Sequence, residues 1–132
     1  VKSGPDSGQY KVFLDNNGYI RLVMIGNFDG QLFAAMLKVA ETLAEDLRSK
    51  GQRVVYLFDL TRIGKVSADG RRAGGELFSK IDYDATAAFG VSGILGIMIG
   101  FIGRVFPKLP TSHMFAHEED ALRHLELPKS NR

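Results

Sequence analysis

Few residues in this chain have the type and spacing that chemistry requires. The only histidines are His113, His117 and His124. They fall in one strand-to-helix stretch with no converging third ligand, so their spacing fits no zinc motif. The chain has no cysteine, which removes disulfide and thiol chemistry and is compatible with a cytoplasmic protein. It has no GxSxG, P-loop or HExxH pattern. Gly93-Ile94-Leu95-Gly96 is not a dinucleotide fingerprint, because no acidic residue follows at the required spacing on a second strand. No cofactor, metal site or catalytic group is expected, and the chain reads as a non-enzyme.

Three polar positions remain candidates for regulation. Asp59 ends an apolar run, where it either caps the next loop through Asx hydrogen bonds or faces a ligand at the carboxyl edge of a sheet. Ser67 and Asp69 stand at a helix start. There Ser67 serves as N-cap and Asp69 complements the dipole, or the turn forms a regulatory or anion site. Asp69 opposes an anion by its charge, while Arg71 and Arg72 favour one.

The binding potential lies in Ser92–Phe106, SGILGIMIGFIGRVF, which is uncharged as far as Gly103. At about 100° per residue, Gly93, Gly96, Gly100 and Gly103 share one helix face. The other side chains cover an arc of roughly 200°, against the roughly 100° stripe that a core-facing helix needs. Either the glycine face packs on a sheet and the rest is core, or apolar surface is left for a ligand or partner. The binding candidates are Ile94, Ile97, Met98, Phe101, Ile102 and Val105. Arg104 would hold a polar head, and Met98 would adapt to irregular shapes. The partners in view are a non-polar small molecule or lipid, a second copy, or another protein. Peripheral contact with a membrane is compatible with this helix. Lys65, Arg71, Arg72, Arg104 and Lys108 form either a solvated rim or a headgroup site.

The elements that must position these residues follow from periodicity. Tyr10–Leu14 and Tyr19–Ile25 read as strands around Asp15-Asn16-Asn17-Gly18, a hairpin signal. Asp29 caps a helix running to about Ser49 and stopped at Gly51. Arg53–Leu60 is a nearly continuous apolar run, as in a parallel strand buried on both faces. A loop follows, then a weaker helix over Ala68–Lys80. Ala85–Val91 reads as a strand, followed by the apolar helix. Ala85 to Gly103 together carry no charge, close to the roughly 20 residues that span a bilayer. Ser92 as N-cap divides the stretch instead into strand and helix, so a spanning helix is not expected. Pro107 and Pro110 break the chain. Ser112–Ala116 reads as the last strand and Glu118–Leu125 as the last helix, acidic in its first turn.

The order β-β-α-β-α-β-α-β-α implies an α/β fold with a mixed, mostly parallel sheet, an N-terminal hairpin strand and about four helices. The 132 residues suffice for one domain, expected over 10–127. VKSGPDSGQ, residues 1–9, reads as a disordered leader and 128–132 as a tail. Val1 in place of Met reads as a fragment, a processed form or a tagged form, and no signal peptide is visible. Seventeen basic and 15 acidic residues are too balanced to argue for nucleic acid.

This order, with DLTRIGKVSADGRR after the central strand and MFAHEEDALRHL at the end, resembles the STAS superfamily. The chain is most similar to its SpoIIAA-like branch, from about Tyr10 to Leu125. The resemblance implies a regulatory protein-interaction module of the anti-sigma-factor-antagonist type, switched by phosphorylation at an Asp-Ser-Ser-Gly-like turn. Here Asp59-Leu60 matches the strand end and Ser67-Ala68-Asp69-Gly70 occupies the turn. Only Gly70 is kept, and Ala68 replaces the phosphorylated serine. Ser67 stands one position early. The SpoIIAA-like branch also implies binding of non-polar small molecules, with the apolar helix moving as a lid.

Overall fold

The computed structural model describes residues 8–90 and 114–126. The expected helix over 92–106, and with it Ile94, Ile97, Met98, Phe101, Ile102, Arg104 and Val105, lies outside the described residues. So do Lys108 and His113.

The described strands form one five-stranded sheet in the order β1-β2-β3-β4-β5. They are β1 (Gln9–Leu14), β2 (Ile20–Phe28), β3 (Val55–Val66), β4 (Ala85–Phe89) and β5 (Met114–Phe115). β1 and β2 are antiparallel and every other pair is parallel, as the element order requires. Three helices are described: α1 (Gly30–Ser49), α2 (Ala68–Lys80) and α3 (Glu118–Glu126).

Local chemistry accounts for most of these bounds. In the β1–β2 turn, Asp15 accepts from the backbone N–H groups of Asn17 (2.8 Å) and Tyr19 (2.9 Å). Gly18 takes the positive φ of +81° that the turn demands. Asp29 caps α1 by accepting from Leu32 N–H at 2.9 Å, and Gly51 ends it at φ +71°.

Parallel strands need cover on both faces, and two apolar clusters supply it. On one face, Ile20, Leu22 and Met24 of β2 and Tyr56 of β3 meet Met36, Leu37, Ala40, Ala44 and Leu47 of α1. On the other, Val55 and Leu57 of β3 and Ala87 and Phe89 of β4 meet Ala121 and Leu125 of α3. The alternation of Val55, Tyr56 and Leu57 between the two clusters is why this run carries no polar face.

A charged joint fastens the second layer. Arg21 of β2 donates through Nε to Asp15 Oδ2 (2.9 Å) and pairs through Nη2 with Glu118 Oε2 (2.6 Å). Its guanidinium carbon lies 6.0 Å from the centre of the Phe89 ring. One side chain therefore joins the hairpin turn, β4 and the first turn of α3.

Two expectations need correction. The loop expected after Leu60 is strand: β3 runs on to Val66 and pairs with the end of β2, which itself extends past Ile25 to Phe28. β3 gains one extra residue between the Val23↔Asp59 and Ile25↔Arg62 pairs, and another between Gly26↔Ile63 and Phe28↔Val66. Asn27 mends the second irregularity, its Oδ1 accepting Lys65 N–H at 2.7 Å. The strand over Ala85–Val91 stops at Phe89, because Gly90 turns the chain at φ +87°.

Tyr56 is fully buried against the rings of Phe58 and Tyr83, and its hydroxyl has no hydrogen-bond partner among the described residues. An unsatisfied buried hydroxyl costs about 1–3 kcal/mol. Burial pushes the phenol up to about 12 from its ordinary 10. The buried phenol's contribution is therefore whole below pH 10 and is lost as the pH rises from 10 towards 12. Tyr56→Phe should raise stability by about 1 kcal/mol in urea unfolding. It should also weaken the alkaline loss, with Tyr83, likewise raised by burial, keeping its share.

Candidate functional site at the carboxyl edge of the sheet

The carboxyl edge of the parallel strands gathers most of the polar candidates, and each has a partner. Asp59 Oδ1 accepts from Thr61 N–H (3.0 Å) and from Thr61 Oγ1 (2.6 Å). That is the Asx capping expected of such an aspartate, and it turns the carboxylate onto its own strand.

Ser67 is the N-cap of α2. Its Oγ accepts Gly70 N–H at 3.1 Å and donates to Asp69 Oδ1. The other carboxylate oxygen of Asp69 accepts Gly30 N–H, the first residue of α1, at 3.2 Å. Asp69 thus places a negative charge at the amino ends of two helices, where their dipoles favour one. The Ser67 hydroxyl holds the Asp69 carboxyl below its usual 3.8, with the Gly30 N–H adding to the effect. The anion that these helix ends could bind is already present as a side chain. A phosphate on Ser67 would face the Asp69 carboxylate directly.

The surrounding backbone is tightly built. Ser67 N–H donates to Phe28 O at 3.0 Å. A Cβ on Gly70 would lie 2.9 Å from that same oxygen, so Gly70 is fixed by a close approach between α2 and the end of β2. Arg71 Nη1 donates to Val66 O at 2.9 Å, which commits this side chain to closing the helix start. Arg72 is exposed, as is Lys65.

The same edge holds Gly90, where the described chain leaves β4. Gly90 N–H donates to Ala116 O at 3.2 Å, and Met114 and Phe115 pair with Ala88 and Phe89. Gly90 also lies against β3, since a Cβ there would sit 2.7 Å from Thr61 N. The chain leaves β4 beside Asp59 and Thr61.

His124 lies against Phe115, ring centres 5.4 Å apart, and His117 is exposed. Among the described residues no three metal-binding side chains converge, and no described helix is long and apolar enough to cross a membrane. The structure joins Ser67 and Asp69 in one network and keeps Asp59 apart from it. Residue reasoning missed Asn27 and Arg21. The signal for Arg21 was a lone charge within the apolar run of β2.

No family model matches the chain, and no curated protein matches it. Among solved structures it is similar to an uncharacterized protein from the DUF3478 family with a SpoIIAA-like fold, from Shewanella loihica PV-4. The two share 16% sequence identity at a TM-score of 0.59, over 95% of this chain and 98% of the other. The likeness establishes a SpoIIAA-like fold.

Ser67→Ala should lower stability by about 1 kcal/mol, the usual cost of a lost N-cap, in chemical denaturation at neutral pH. Because the Asp69 carboxyl is held low, its contribution is present above about pH 4. It is lost as the pH falls through the depressed value. An acid titration followed by circular dichroism should show a flatter acid limb for Asp69→Asn than for the unaltered chain.

Proposed function

We propose that this chain is a non-enzymatic binding module that takes a non-polar small molecule or lipid through the Ser92–Phe106 stretch. The observation that carries the reading is the apolar surplus of that stretch. Read as a helix, its large side chains would cover about twice the arc that a core-facing helix needs. Support comes from where the stretch begins. Gly90, just ahead of it, stands at the carboxyl end of β4, the edge where ligands of open α/β sheets gather.

Ile94, Ile97, Met98, Phe101, Ile102 and Val105 would contact the apolar body of the ligand, with Arg104 at a polar head. The polar groups already described at this edge, Asp59, Ser67 and Asp69, serve as caps. In this reading they shape the rim rather than bind.

The test uses a fluorescent fatty acid as probe. Ile97→Asp and Phe101→Asp should abolish its uptake, by at least about tenfold in Kd, with an unchanged far-ultraviolet circular dichroism spectrum. Unfolding of both variants would instead make the stretch ordinary core and overturn the proposal. Failure of the unaltered chain to take up the probe would also count against it.

A further inference from the structure

We propose that the free edge of β1 is a homodimer interface, in which β1 pairs antiparallel with β1 of a second copy about a two-fold axis at Val12. This goes beyond the binding reading and rests on separate residues. Among the described residues, β1 ends the sheet and has a strand on one side only. Such an edge presents unpaired N–H and C=O groups to any matching strand.

The large exposed apolar side chains among the described residues are Phe13 (43%), Leu14 (42%) and Val39 (40%). Two of them are on β1, and helix geometry puts the third on the same flank. At about 100° per residue, Val39 stands opposite both Gly30 and Arg48. Gly30 lies against Asp69 and Ala73 of α2. Arg48 donates to Asp82 O, just beyond α2. Val39 therefore faces away from α2, towards the β1 side of the sheet. On that flank, a Cβ at Gly8, next to β1, would meet Leu32 Cδ2 at 2.8 Å.

The backbone selects which groups are free. Asp15 N–H donates to Tyr19 O at 2.9 Å, and the β1–β2 register runs unbroken from there through Leu14↔Ile20 to Gln9↔Ile25. Bonded pairs alternate along an antiparallel ladder. Gln9, Lys11 and Phe13 therefore bond to β2, while Tyr10, Val12 and Leu14 point their N–H and C=O groups outward.

Charge and packing select the register. An axis at Lys11 would set two lysines opposite each other, which is destabilising. With the axis at Val12, Val12 faces Val12 of the second copy and Tyr10 faces its Leu14. This closes about six hydrogen bonds. Lys11 then faces the Phe13 ring of the second copy, a favourable cation–aromatic pairing. The helices agree with this choice. Val39 lies about 10 Å along α1 from Leu32, at about 1.5 Å per residue. About three strand residues cover the same distance. Val39 thus sits level with Lys11 and Val12, and the same axis brings it to Val39 of the second copy.

Sedimentation velocity on the full chain tests this. The unaltered chain should be a dimer that dissociates on dilution. Val12→Pro removes an outward N–H that β2 does not use and should leave only monomer. Val39→Glu, at an exposed helix position, should weaken association at least about tenfold, and it decides the matter if Val12→Pro fails to fold. A monomer at every concentration, or a dimer unmoved by both substitutions, would overturn the proposal. So would a dimer broken by Ile97→Asp but not by Val12→Pro, which would move self-association to the apolar stretch. A monomer that still takes up the fatty-acid probe would overturn this interface and leave the binding reading standing.

Discussion

A sheet whose central strands run parallel must be covered on both faces, and the rest of this molecule answers that requirement. Among the described residues, α1 and α2 lie over the face that carries Tyr56, and α3 packs on the other. α3 is a short helix whose propensity could not hold it in place alone. Its apolar contacts through Ala121 and Leu125 are joined by the Arg21 pair with Glu118. Arg21 also donates through Nε to Asp15, the residue that shapes the β1–β2 turn. The Arg21–Asp15 half of the joint is mostly shielded from water, with 18% and 10% of the two side chains exposed, whereas Glu118 is 45% exposed. Screening therefore weakens the Arg21–Asp15 pair less than an ordinary surface ion pair.

The features legible in the sequence are those whose causes are local. Asp29 and Ser67 announce helix starts because an N-cap needs a short side-chain acceptor at one position. Asn17-Gly18 announces a hairpin because the turn needs positive φ. The apolar run of β3 announces a strand buried on both sides. The extension of β3 through Thr61–Val66 was not legible, because Arg62, Gly64 and Lys65 carry no strand signal. That segment is strand because β2 extends beside it and Asn27 supplies the acceptor that the irregular ladder lacks.

The candidate site divides in the same way. The capping roles of Asp59 and Ser67 follow from residue type and position. The bond from Gly30 N–H to Asp69 joins residues 39 apart in the chain, and no spacing rule foretells it. It has a functional consequence. With Asp69 filling the anion position at two helix ends, this turn is built as a structural knot.

Native mass spectrometry of the freshly purified chain, paired with organic extraction of the same sample, tests this account most directly. The account predicts an added mass in the lipid range that extraction releases. A bare chain with nothing extracted, whether monomer or dimer, would contradict it.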